Sequence, residues 1–294
     1  MRKSQIISLI ILLVLVTIVI WVGACTGEGK GPMAKPTPTE DLGPTLPVET
    51  AEPTPEVPED EIAGLPSDTI TWTVSRGDGN VTPNVDSYVL EQMAKYDCYY
   101  EGSSFSDSGA YITFDVSYGD DEDIKNISSA LDALKASNTK AIFFLTNEFF
   151  KGQVSDIVKR IVEEGHQLGN RGKIVDGNDM TKLTRAEYYA AVTENEESLK
   201  KILGEDAKMT YYRPLGNRFS IRDLAIVKQL GYKTIMWTSL YAGDNLDSLT
   251  ARISNELRDR SVFDIMVYCI HQQTDKLTEA LNKAASLQTL KQLP

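Results

Sequence analysis

Cysteine, histidine and positive charge are all scarce in this chain. Three cysteines in 294 residues cannot make a disulfide framework, and none stands in a Cys-x-x-Cys pair of the kind that holds zinc or runs redox exchange. His166 and His271 are all the imidazole there is. Thirty Lys and Arg face 42 Asp and Glu, for a formal net charge of -12. Nucleic-acid binding needs Lys and Arg clustered on one face, so that class is excluded. There are no internal repeats. The acidity is uneven: residues 26–68 carry ten acids against two lysines, which is -8 of the -12. The remainder is mildly acidic, and an apolar fraction of 41% is enough for a sizeable core.

What is present begins with an export signal. Arg2 and Lys3 form a short positive region, and from Ile6 to Ala24 there is no charge, only an Ile/Leu/Val-rich run that closes Val22-Gly23-Ala24-Cys25. Small residues before a cysteine resemble a bacterial lipobox, which implies cleavage before Cys25 and a lipid on its sulfur. The same run is nearly long enough to cross a bilayer of about 30 Å as an uncleaved anchor. Both readings place the folded part on the extracytoplasmic face of a cell membrane. Residues 26–68 then hold nine of the twelve prolines, with Thr and Glu between them. That composition has too little apolar surface to offset its ordering entropy, and it predicts a disordered, self-repelling linker.

From residue 69 to 294 short β-branched or aromatic runs alternate with segments of helical period. Strands are expected near Tyr111–Phe114, Ala141–Leu145, Gln167–Gly169, Thr210–Arg213, Thr234–Trp237 and Asp264–Ile270. A first helix is expected through Tyr88–Lys95, and others near 122–136, 153–164, 184–203, 220–230, 247–259 and 275–286. Strict succession of strand and helix predicts an α/β fold with a parallel sheet, here a closed or nearly closed (β/α) barrel. Functional residues of such barrels follow the strands. Cys98 and Cys269 read either as a bridged pair or as two buried thiols, and the place of Cys269 inside an apolar run favours the thiols.

The strand ends carry a pattern. The first run closes Thr113-Phe114-Asp115-Val116-Ser117-Tyr118, and the third passes through Gly165-His166-Gln167-Leu168-Gly169-Asn170-Arg171. Tyr212-Arg213-Pro214, Leu230-Gly231-Tyr232 with Ile235-Met236-Trp237, and Ile270-His271 follow in order. In this order and spacing the chain resembles the NodB-homology polysaccharide deacetylases, carbohydrate esterase family 4, and specifically the branch acting on muramic acid in peptidoglycan. The resemblance spans about Trp72 to Leu281. It implies a deformed (β/α) barrel and a mechanism in which a divalent metal such as zinc, held by one Asp and two His, polarises an acetamide and its attacking water. On that pattern Asp115 is the base, Arg213 the residue that orients it and His271 the acid. Arg171, Tyr118, Pro214, Trp237 and Asp244 fall along the substrate cleft.

The metal positions do not carry over. The family's second Asp corresponds to Val116, and its ligand histidines to Arg171 and to Val175 or Asp176. His166 precedes the site and is structural in the family, so no histidine is left for an ion and no cofactor is expected. A permanent cation at Arg171 would repel a divalent ion and could itself fill the hole. The family's Asp-Trp reads Gly243-Asp244-Asn245 here, without the aromatic that walls the sugar site. Asp120, Asp121, Glu122 and Asp123, with Asp176, Asp179 or Asp244, offer either an all-oxygen Ca²⁺ or Mg²⁺ site or a plain helix N-terminus, the second being the simpler. The expectation is a cell-wall protein that is weakly active or inactive and binds peptidoglycan, another N-acetylated glycan or a protein partner through the old cleft. Two alternatives stand beside it: a hydrolase with altered metal dependence, and an adaptor that regulates an active deacetylase.

Overall fold

The computed structural model describes residues 62–77, 80–101, 108–243, 245–270 and 272–294. The N-terminal apolar run, Cys25 and the linker up to residue 61 lie outside the described residues, as do Asp244 and His271. Along the chain come β1 (Ile70–Thr71), β2 (Val74–Gly77), β3 (Asn80–Pro83), α1 (Ser87–Lys95), β4 (Cys98–Tyr99), β5 (Tyr111–Val116), α2 (Asp121–Ala136), β6 (Ala141–Leu145), α3 (Ser155–Glu163) and β7 (Gln167–Asn170). There follow α4 (Arg185–Leu203), β8 (Tyr211–Tyr212), β9 (Arg218–Phe219), α5 (Ile221–Gln229), β10 (Lys233–Ile235), β11 (Ser239–Tyr241), α6 (Leu249–Glu256), β12 (Val262–Met266) and α7 (Thr274–Leu287). Among the described residues no helix is long and apolar enough to cross a membrane.

Eight strands form one sheet in the order β11-β12-β5-β6-β7-β8-β10-β4, and every neighbouring pair is parallel. The expected α/β barrel type holds, with two edge strands, β4 and β11, too short to carry a sequence pattern. The sheet is strongly curled. Laid flat, β8 and β12 would stand four strands apart, roughly 19 Å at the usual spacing of about 4.8 Å. Arg213, directly after β8, nevertheless reaches Asp264 on β12 at 2.6 Å, so the inner faces of the two strands look at each other across a closed interior.

Alternation along β5 sorts its side chains. Ile112, Phe114 and Val116 join the core between sheet and helices, with Ile127, Leu131 and Leu134 of α2 and Leu277 and Leu281 of α7. Tyr111 joins the inner cluster, with Ile142, Phe144, Tyr211, Ile235 and Val262. The next inward positions of β5 are Thr113 and Asp115, both buried. The barrel interior is therefore apolar below and polar at the C-terminal strand ends.

Three expectations need correction. The last strand stops at Met266, and Val267–Cys269 form a 3₁₀ turn before Ile270; a continuous apolar run does not distinguish a buried strand from a buried turn. The strand near Thr210–Arg213 shrinks to Tyr211–Tyr212, because Pro214 lacks the N–H a ladder needs. The packed chain also begins earlier than its proline content suggests: Ile62 is buried, and the Pro66 carbonyl accepts the Arg222 N–H at 3.0 Å. Cys98 and Cys269 are both buried.

Candidate active site

Four charged side chains meet at the C-terminal end of the barrel. Asp115 Oδ1 accepts from Arg213 Nη1 at 3.0 Å, and Asp115 Oδ2 lies 2.7 Å from Arg171 Nη2. That second contact joins charges without hydrogen-bond alignment, since Oδ2 has no aligned donor. Arg213 Nη1 also donates to Asp264 Oδ1 at 2.6 Å and to Thr113 Oγ1 at 2.9 Å, and the Thr113 hydroxyl donates to Asp264 Oδ1 at 2.7 Å. Side-chain exposure is 0% for Asp115, Arg213 and Asp264 and 6% for Arg171, so water screens none of these charges. Charge alternates along the row Arg171, Asp115, Arg213, Asp264.

Each member is aimed by its strand. Arg213 anchors Nε on the Ile235 carbonyl at 3.0 Å and lays its guanidinium 4.1 Å from the centre of the Phe144 ring. That ring occupies the space beside Gly169 on β7, where a Cβ would lie 2.5 Å from Phe144 Cδ1, so only glycine fits. Arg171 follows β7 with its N–H on the Leu145 carbonyl at 2.9 Å and its Nη1 on Ser117 Oγ at 3.2 Å. The chain then turns through Gly172 at φ 72°, packed against Met180 and Tyr212. A buried amide pair braces this turn: Asn170 Oδ1 accepts from the Gly172 N–H and from Asn195 Nδ2, each at 2.8 Å, and Asn195 Nδ2 also reaches the Gly172 carbonyl at 2.9 Å.

Burial pushes the Asp264 carboxyl up to about 7, against the pull of Arg213, Thr113 and Arg171 and with a further push from Asp115. His166 sits at the start of β7, away from the cluster, where Nδ1 accepts the Ala141 N–H at 3.2 Å. Burial and then Lys140 hold its imidazole down to about 4.

The other residues singled out in the sequence are spread more widely. Tyr118 follows β5 and is 51% exposed, with its N–H on Asp123 Oδ2 at 3.1 Å. Pro214 is buried beside Arg213. Trp237 is nearly buried and donates its indole N–H to Asn217 Oδ1 at 2.9 Å. Asp244 and His271 lie outside the described residues; β12 ends at Met266, which pairs with Asp115, and the 3₁₀ turn Val267–Cys269 follows.

The acids after β5 are used locally. Asp120 caps α2 by accepting from the Glu122 and Asp123 N–H groups, and Asp179 accepts from the Thr181 N–H. Burial raises Asp123 to about 6. Among the described residues no group of three or more His, Cys, Asp or Glu is placed to hold a metal ion. Asp264 and Asn195 escaped the sequence reading. The available signal for Asp264 was an acid in the middle of Val262-Phe263-Asp264-Ile265-Met266, which demands a buried partner.

Comparison with known proteins agrees with this architecture. The family model described as polysaccharide deacetylase matches residues 102–235. The peptidoglycan-N-acetylmuramic acid deacetylase PdaA of Bacillus subtilis is 27% identical over 228 residues, covering 75% of this chain and 81% of that protein. A peptidoglycan-N-acetylglucosamine deacetylase of Bacillus cereus is 28% identical over 158 residues, covering 52% and 56%. The solved structure of B. subtilis PdaA, a family 4 carbohydrate esterase, superposes with a TM-score of 0.65 at 23% identity, covering 76% of this chain and 93% of that one. A family 4 carbohydrate esterase from Bacillus anthracis gives 0.59 at 22%, covering 76% and 92%. The curled parallel barrel is thus the fold of the family 4 carbohydrate esterases, and residues 102–235 match the polysaccharide deacetylase family.

Proposed function

We propose that this protein acts on the extracytoplasmic face of the cell membrane, tethered by its N-terminal segment. There it engages N-acetylated peptidoglycan glycan through the deacetylase cleft with little or no metal-dependent hydrolysis. The observation that carries the reading is the Arg171 guanidinium 2.7 Å from Asp115 Oδ2. The described residues at this place do not fit a divalent ion: Val116 has no lone pair, Arg171 is a permanent cation, and both Asp115 oxygens face guanidinium nitrogens. A metal brings the pKa of bound water from 15.7 to about 7, whereas general-base catalysis alone supplies roughly 10²–10⁴-fold. An amide is too inert for the second by itself.

The substrate class follows from the relatives, whose names specify muramic acid and glucosamine units of peptidoglycan. The exposed Tyr118 ring, with Pro214, Trp237 and Asp244, supplies the cleft in this reading. The tether rests on Arg2, Lys3, the uncharged run Ile6 to Ala24 and Cys25.

The test is acetate release from cell-wall muropeptides under titration with Zn²⁺, Co²⁺ and Mn²⁺, run beside Asp115→Asn, with sedimentation on intact peptidoglycan in parallel. Retention on peptidoglycan without metal-stimulated release is the expected result. Metal-stimulated release that disappears in Asp115→Asn would reject the reading.

A further inference from the structure

We propose that Arg171 and Asp264 form a compensating pair: an internal cation and the counter-charge that lets the barrel mouth bury it. The two do not touch. They are the ends of the row Arg171, Asp115, Arg213, Asp264, whose members come from the ends of β7, β5 and β8 and from the middle of β12.

The arithmetic of charge is what joins them. Asp115 and Arg213 alone make a neutral buried pair. Adding Arg171 alone would set two guanidiniums on one carboxylate, and adding Asp264 alone would set two carboxylates on Arg213 Nη1, the nitrogen both already share. In a site with side-chain exposures of 0% to 6%, either excess is costly, while the full set of four is neutral. The field of Arg171 extends to Asp264 and favours its charged form there. Asp264 stands between Phe263 and Ile265, both 0% exposed, and its carboxylate meets only Arg213 and the Thr113 hydroxyl by hydrogen bond. Four buried polar atoms of the row keep spare capacity: Asp115 Oδ2, Asp264 Oδ2, Arg171 Nε and Arg213 Nη2. The inference rests on the functional reading above only in that no metal ion shares the cluster.

A double-mutant cycle decides it, using the full chain with Arg171→Met, Asp264→Leu and both together, unfolded thermally at pH 8, above the value of about 7 to which burial raises Asp264. Arg171→Met is expected to lower Tm by roughly 10 °C, because it leaves two carboxylates on one guanidinium, and Asp264→Leu by less, because burial already works against that carboxylate above pH 7. The double variant is expected to recover most of that loss. Should a single variant fail to fold, a folded double variant supports the pairing equally. Losses that simply add, or a double variant no more stable than the worse single, would overturn it. Calorimetric titration of the unmodified chain with Zn²⁺ separates this inference from the reading beneath it: tight binding would reject the metal-free site, while the cycle alone decides the pairing.

Discussion

Asp115 is held from both sides, and the residues that hold it are themselves held by packing. Phe144 is the clearest case, with the Arg213 guanidinium over its ring and Gly169 leaving room beside it. Gly169→Ala is expected to push the ring off its place and destabilise the chain by about 1–3 kcal/mol in denaturant unfolding. Two buried titratable groups give opposite pH signatures. Asp264 is raised to about 7 from an unfolded value of about 3.9, so its folded form holds a proton that the unfolded chain releases. Its contribution is therefore present below about pH 4 and lost as pH rises through 7, and the Tm gap between the chain and Asp264→Asn should narrow over that window. His166 is lowered to about 4 from about 6.5, so its contribution is present above pH 6.5 and lost as pH falls towards 4. His166→Gln keeps an acceptor for the Ala141 N–H and should remove that acid-side loss, as read by Tm against pH. Asp115, Arg171 and Arg213 were legible in the sequence because they stand at set positions of the motifs that carry the resemblance. Asp264 was not, because acids inside apolar runs are uncommon and its partners are 51, 149 and 151 residues away in sequence.

At the scale of elements, the helices were readable almost to the residue, since apolar period and caps agree: Thr184 with Glu187 and Ser220 with Asp223 each close a capping box at the start of α4 and α5. Strand ends were less so. β8 and β12 stop where Pro214 and the Val267–Cys269 turn intervene, and neither limit shows in hydrophobicity. The edge strands β4 and β11, at two and three residues, are fixed by pairing with neighbours distant in sequence. Helix α4 also does more for the site than cover the sheet. Its Asn195 braces the turn that delivers Arg171, and Asn195→Ala would leave Asn170 Oδ1 and the Gly172 carbonyl each one donor short. The expected cost is about 1–3 kcal/mol, read by denaturant unfolding, with faster amide exchange at Gly172 and Arg171 than in the unmodified chain.

For the whole molecule, the barrel type and the resemblance were legible because five motifs occur in order along the chain, a coincidence that no single motif carries. The region that carries the tethering signal lies outside the described residues, so its reading rests on charge and hydropathy alone. What the folded part adds is a site closed upon itself: an arginine rests on the carboxylate that the family pattern makes the base. Diffraction from crystals of the full chain grown with excess Zn²⁺, recorded at the zinc absorption edge, tests this most directly. The account predicts no anomalous peak beside Asp115, with the Arg171 guanidinium still seated on its carboxylate. A zinc peak bonded to Asp115, with Arg171 swung away, would contradict it.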